Sequence, residues 1–454
     1  MELRRPSLAE KLSPTYSHDA TSPVDLGSPS SVTSVKREQI ATSPTGDLTA
    51  PTSSPGTPKF ELYQRVVLFP DLSRLEMCLL DAAFHKQMNV DKYLIGPSFR
   101  EQHLQAFADH LDAGMIHLKD AFIACASVLV GDQQLQQLAL GQQIGFRRAA
   151  AAVASLRSSA VTVHRDHDLS VILILGVAMV TFAFHNDVGA PEPMCSYILG
   201  LVKSYCRDSH SLKRCLGDNG LAFLVCLLGT ETESCLIKCE VPTLQIRVYE
   251  IDQCVDRFIG VSLPMLAYYY DVCELAKKAR SSRTRSNGEL KPSIWRALKR
   301  LECHIEKWQP AVPTDFLTGR FAPAEVTLML TQSKILRLTG LLILHRLKHA
   351  YGSQDGKAIA ISSTILSELE TVLRLTGRSV PFAEMPHLAA SFEVNSLADR
   401  RDQLAKSDAI VDFSPFVCVE HKAWLASFWA VRDRMGDAKC IYWDDVQTYI
   451  ACAA

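Results

Sequence analysis

From Phe60 onward the chain repeats one pattern, with apolar residues three and four positions apart and polar residues between them. "LSRLEMCLLDAAFHKQM" sets Leu72, Leu75, Leu79, Ala82 and Ala83 at that spacing, which places them on one face of an α-helix. Ser73 precedes this face as an N-cap, and Glu76 lies three residues further on, the spacing of a capping box. "SFREQHLQAFADHLDAG" repeats the design between Ser98 and Gly114, and "HLKDAFIACASVLVG" closes on Gly131. Further helices are predicted at "IGFRRAAAAVASLRS", "MCSYILGLVKSYC" and "GLAFLVCLLGT". "LQIRVYEIDQCVDRFIGVSLPMLAYYYDVCELAKKA" reads as helical with a kink or break at Pro264. The series continues with "SIWRALKRLECHIEKW" and "PAEVTLMLTQSKILRLTGLLILHRLKHAYG", the latter one long helix or a pair ending at Gly352. "SSTILSELETVLRLTG" and "EHKAWLASFWAVRDRMG" complete it. No stretch sustains the two-residue alternation of a strand, and no repeat of fixed period occurs. The pattern predicts an all-α fold, a large multi-helix domain over 59–454.

One run departs from the amphipathic rule. "VILILGVAMVTFAF" is apolar on every side, which fits a membrane span or a fully buried helix. Between Asp168 and His185 lie 16 residues. They span about 24 Å as a helix, against roughly 30 Å of hydrocarbon. Ser170, Gly176 and Thr181 interrupt the run, charged residues border it, and no second segment reads as a convincing span. The expectation is a core helix, with no membrane partner.

Residues 1–58 are different in kind. About half are Ser, Thr or Pro, and Tyr16 is the only aromatic. Such a segment buries too little apolar surface to offset its conformational entropy, so a disordered tail or linker is expected. Ser13, Ser22, Ser28, Ser43, Ser54 and Thr57 each precede a proline and are candidate sites for proline-directed phosphorylation. Ser7 in "RRPS" fits a basophilic kinase, and Lys36 in "VKRE" fits a SUMO acceptor.

Composition narrows the chemistry. A formal net charge of −1 argues against attachment to nucleic acid or anionic lipid through the overall field. The 14 cysteines begin only at Cys78 and sit mostly inside apolar helical patterns, as small buried thiols do. Without a secretory signal, a reducing compartment is expected. No C-x-x-C pair occurs; the nearest spacings are Cys235 with Cys239, and Cys206 with His210 and Cys215, which read as a packed helix face and a polar loop. No nucleophile elbow, phosphate-binding loop or dinucleotide fingerprint is present. Asp444 and Asp445 lack the third carboxylate of an isoprenoid synthase motif and read as a solvated helix start. His85, His103, His110 and His117 read as scattered helix-surface residues. No metal or cofactor is expected. The strongest charge cluster is "KKARSSRTR", where Lys277, Lys278, Arg280, Arg283 and Arg285 form a candidate nuclear import signal at a helix end running into a mobile loop. The bland alternative is a basic helix C-terminus complementing its dipole.

Three blocks carry a family resemblance: "FPDLSRLEMCLLDAAFH", "SFREQHLQAFADHLDAGMIHLKDAFIACASVLVG" and "RRAAAAVASLRS" followed by "DLSVILILGVAMVTFAFHN". In order and texture they resemble the fungal-specific transcription factor domain, the helical regulatory region that follows a zinc binuclear cluster. The resemblance covers most of residues 60–450. It implies a nuclear helical module that modulates transcription, often as a dimer, and supplies no catalytic residues to carry over. The family's DNA-binding head needs six cysteines around two C-x-x-C pairs, and residues 1–58 contain none. DNA binding by that mechanism is therefore not expected of this chain. The expected function is transcription regulation without enzymatic activity, in the nucleus, with an additional cytoplasmic location as the alternative. It would act through protein partners, as a homodimer or with a full-length zinc cluster regulator, or through a small-molecule effector. The alternative is a helical enzyme, for example one acting on an isoprenoid, with a pocket assembled from distant residues.

Overall fold

A computed structural model describes residues 71–450 apart from 86–88, 113–115, 132, 160–165, 187–190, 204–208, 246–254, 286–288 and 436–439. The tail of residues 1–58, with Ser7, Ser13, Ser22, Ser28, Lys36, Ser43, Ser54 and Thr57, lies outside the described residues. The described residues form 16 α-helices and no strand.

The first half contains α1 (Arg74–His85), α2 (Arg100–Asp112), α3 (Ile116–Leu129), α4 (Gln133–Gly141) and α5 (Ile144–Ser159). After them come α6 (Asp166–Phe184), α7 (Glu192–Val202) and α8 (Ser209–Lys238). The second half contains α9 (Leu263–Arg285), α10 (Pro292–Lys307), α11 (Pro323–Lys348) and α12 (Asp355–Thr376). It ends with α13 (Glu384–Ser391), α14 (Leu397–Ile410), α15 (Pro415–Met435) and the short α16 (Val446–Ile450). In the first half α3 packs against α1, α5 and α6, and in the second α11 packs against α9, α10, α12 and α13. Helix α8 joins the two, touching α6 and α7 on one side and α9 and α16 on the other, so a single core runs through both.

The local signals set several helix ends. Ser73 N–H donates to Glu76 Oε2 at 2.8 Å, and Glu76 N–H donates back to Ser73 Oγ at 3.3 Å, which completes the predicted capping box of α1. Pro264 lies in the first turn of α9, where a proline needs no intrahelical partner, so it marks a helix start. The upstream part of that predicted run, Val255–Ser262, is instead a tight turn: Asp256 and Gly260 exchange backbone hydrogen bonds, and Asp256 Oδ1 accepts from the N–H groups of Phe258 and Ile259. The long run before Gly352 is one helix, α11. Glu325 in its first turn accepts from Ala322 N–H at 2.9 Å and from Ser98 N–H and Oγ at 2.7 and 2.6 Å, tying α11 to the turn before α2.

The run Val171–Val180 lies within α6 and is buried at every position. Two other helices, Asn219–Lys238 and Pro323–Lys348, are long and apolar enough to cross a membrane. This corrects the expectation that no second segment qualifies. Both are mostly buried inside the protein. Gly176, an interruption in the sequence pattern, has a packing reason. A Cβ there would sit 2.6 Å from Ile198 Cδ1 of α7 and 3.1 Å from Leu227 Cδ1 of α8. Glycine lets three helices approach at one point. Gly176→Leu should therefore lower unfolding stability by about 1–3 kcal/mol through overpacking. Urea denaturation measures this, and an unchanged midpoint would mean that Ile198 and Leu227 simply move aside.

In the second half the interior is anchored by charge. Arg346 is fully buried; its Nε and Nη2 donate to both carboxyl oxygens of Glu393 at 2.7 and 2.5 Å. Nη2 also reaches Asp355 at 2.7 Å, Nη1 donates to the carbonyls of Ala350 and Ser353, and the guanidinium lies 4.8 Å from the Tyr351 ring centroid. Burial works against the charge on Arg346, but Glu393 and Asp355 more than offset it and hold the guanidinium protonated.

Candidate functional site

The first half encloses an apolar cavity of about 60 Å³ between α1, α2, α3, α6 and α8. The spacing found in sequence explains its walls. Cys125, Ala126 and Leu129 recur along one face of α3; Val177, Ala178 and Thr181 do so on α6. Tyr93 and Val90 close one side, and Phe258, from the tight turn before α9, closes another. Among the described residues, no carboxylate and no Lys or Arg lines the cavity.

Its few polar groups are neutral and most are already engaged. The Tyr93 hydroxyl is 2.7 Å from His185 Nε2, and Thr181 Oγ1 donates to Val177 O at 2.8 Å. Burial pushes the Cys125 thiol up to about 12; burial and then Asp256 do the same to Cys226. His103 on α2 is the exception. Only 6% exposed, it sits among the rings of Phe107, Phe258 and Phe223, with centroids 4.9, 5.7 and 5.9 Å away. Burial, reinforced by the nearby Arg257 charge, brings its pKa down to about 3, so the ring is neutral. Its Nδ1 is buried without a hydrogen-bond partner. In sequence His103 reads as a surface residue; the structure places it inside. The signal was its position three and four residues before Ala106 and Phe107, on the apolar stripe of α2.

Two other ionisable clusters lie inside the body. Glu233 on α8 and Glu384 on α13 each bury one carboxyl oxygen without a hydrogen-bond partner. Burial and then their mutual repulsion raise Glu233, whereas burial, aided by Asp412, raises Glu384 to about 7. His387 and His421 stack with centroids 5.0 Å apart and share a 2.8 Å hydrogen bond. Burial brings His387 to about 4 and His421 well below its ordinary value.

The basic cluster is only partly a surface. Lys277 and Lys278 are exposed. Arg280 donates to the carbonyls of Asp444 and Lys238 at 3.0 and 2.7 Å. Arg283 is buried: it pairs with Asp444, donates to Leu347 O and stacks 3.6 Å from the Tyr442 ring centroid. Helix α9 continues through Arg285, whose side chain lies outside the described residues. Within the candidate import signal Arg283 is thus a buried, ion-paired side chain and not an exposed one, and the helix carries the cluster as far as Arg285. Asp444 is corrected with it: it is an interior partner of Arg283, while Asp445 caps the turn by accepting from Tyr442 N–H at 3.0 Å.

Cys235 and Cys239 are buried at the end of α8, Cys206 lies outside the described residues, and so do the side chains of His210 and Cys215. Among the described residues no three His, Cys, Asp or Glu side chains converge as metal ligands, and ten cysteines are free thiols.

Residues 227–448 match the model of the fungal specific transcription factor domain. No curated protein and no solved structure matches the chain. The blocks that carry the resemblance in sequence precede the matched segment, which begins inside α8 and ends in α16. The all-α architecture of the described residues agrees with what the family resemblance implies, and residues 227–448 are similar to the fungal specific transcription factor domain.

Proposed function

We propose that this chain regulates transcription in the nucleus through its helical body, by contacts with other proteins and by response to a small molecule. The family match carries this reading. The apolar cavity in the first half supports the small-molecule part, because α8 itself contributes Cys226 to its wall and α6, another wall, packs directly on α8. Protein partners would include a second copy of the chain or a full-length zinc cluster regulator, which would supply DNA contacts. A helical enzyme acting on an isoprenoid is not favoured: ionising a diphosphate needs carboxylates gathered at the pocket to hold metal ions, and the described residues of this lining include none.

The test tethers the whole chain to an unrelated DNA-binding domain and measures a reporter bearing that domain's sites. A several-fold rise or fall over the DNA-binding domain alone is expected. A nuclear, well-expressed fusion that leaves the reporter unchanged would overturn the reading.

A further inference from the structure

We propose that the outward face of α10 is a docking surface for the phosphate backbone of duplex DNA, engaged without regard to base sequence. The proposal goes beyond the regulatory reading, and the binding itself does not depend on it.

The helix is divided between two faces. Leu298, Leu301, Glu302 and Ile305 are buried, while Arg296, Lys299, Arg300, Cys303 and Lys307 are exposed. The exposed five fall within about 100° of the helix circumference, and the four cations among them span about 16 Å. The helix's own carboxylates do not neutralise them: Lys348 and Lys357 hold Glu302, and Lys357 also reaches Glu306 at 3.1 Å. Among the described residues none of the four cations has a carboxylate partner. Arg296 Nε donates to Pro292 O of its own helix at 3.4 Å, and Lys299 Nζ lies 5.9 Å from the Trp295 ring centroid. Surface cations elsewhere are commonly paired, as Lys334 is with Glu368, Arg320 with Asp315 and Lys406 with Glu370. On a chain of net charge −1 this positive stripe is a local feature.

Shape and chemistry select the ligand. Charges strung over about 16 Å cannot converge on a single phosphate or carboxylate, so the match is a polymer with repeating charge. Duplex DNA carries one negative charge per roughly 1.7 Å of its axis. Anionic lipid also repeats its charge, but a helix lying on a bilayer buries an apolar face in it. Here the apolar side chains are used inside the protein. Leu298, Leu301 and Ile305 are buried, and Ile294 and Trp295 are half-buried, Trp295 against the His349 ring with centroids 5.4 Å apart. A protein partner would find no exposed aromatic or apolar anchor at the centre of the patch, where interface affinity is concentrated. A phosphate backbone asks for cations alone, and the two guanidiniums add paired N–H groups that fit phosphate oxygens. Sequence-specific contacts would still come from a zinc cluster partner.

The experiment follows the fluorescence anisotropy of a labelled duplex, in two unrelated sequences, titrated with the purified full-length chain. Both sequences should bind alike. With four phosphates neutralised, log affinity should fall against log salt with a slope of about −3.6, a loss of about 150-fold between roughly 50 and 200 mM. Arg296→Gln with Arg300→Gln should halve that slope. Arg374→Gln with Arg401→Gln, the same change of charge at exposed positions on α12 and α14, should leave it unchanged. Saturating duplex should also slow alkylation of Cys303 several-fold and leave that of Cys78, exposed on α1, as it was. No binding at the lower salt, an unchanged slope in the α10 variant, an equal loss in both double variants, or an unprotected Cys303 would each overturn the proposal. So would tighter binding to phosphatidylserine vesicles or to polyglutamate than to duplex. A chain that binds duplex through α10 but leaves the tethered reporter silent would refute the transcriptional reading and not this surface.

Discussion

Arg346→Met is expected to be the most damaging single substitution in the second half, lowering unfolding stability by about 3–5 kcal/mol. The side chain is fully buried and holds four partners from the segment after α11 and the end of α13: Glu393, Asp355 and the carbonyls of Ala350 and Ser353. Removing the guanidinium leaves the Glu393 carboxylate, itself 5% exposed, without its counter-charge. The cost lies in that stranded carboxylate more than in the lost attraction. Arg346→Met combined with Glu393→Met should therefore be more stable than Arg346→Met alone, because the apolar pair no longer strands a buried carboxylate. Urea unfolding of the three chains checks this. A single variant within 1 kcal/mol of the parent, on the scale of the exposed pairs of this protein, would show that the site rehydrates.

Glu384→Gln should have the opposite sign, and only on the alkaline side. The Glu384 carboxyl is raised from 4.5 to about 7, chiefly by burial. Between those values the folded chain holds a proton that the unfolded chain releases, so stability falls as pH rises from 4.5 to about 7 and stays lower above it. Glutamine keeps the shape without the charge. The variant should gain about 3 kcal/mol over the parent at pH 8 and almost nothing at pH 4.5. The buried histidines bias the parent the other way: His103, lowered to about 3, and His185, His345 and His387, lowered to about 4, withdraw stability as pH falls below 6.5. Because both chains carry them, the difference between parent and variant cancels the histidines and reports the Glu384 carboxyl together with the Glu233 carboxyl that it repels. An equal gain at both pH values would sink the assignment.

The sequence made the helices legible wherever a local rule decides them. The Ser73–Glu76 box, the stop after Leu129 and the burial of α6 all follow from residues within a few turns of each other. What it hid are pairings between distant segments. Arg283 and Asp444 are 161 residues apart, Arg346 and Glu393 47 apart, and no periodicity links either pair. So a basic helix end read as a surface signal, and an interior aspartate read as a solvated one. His103 is an intermediate case. Its register on α2 pointed inward, but only the arrival of Phe223 and Phe258 from other segments completes its ring of aromatic neighbours.

The start of the family match has a consequence for where this protein can be divided. Residue 227 falls inside α8, directly after Phe223, Leu224 and Val225, all fully buried, and one residue after the cavity wall at Cys226. Cutting there severs a helix at its driest point and bares the face that α6 and α7 cover. The segment marked by shared ancestry is thus not the segment that closes its own core. Heredity and folding draw their borders in different places on this chain, and an expression fragment has to respect the second.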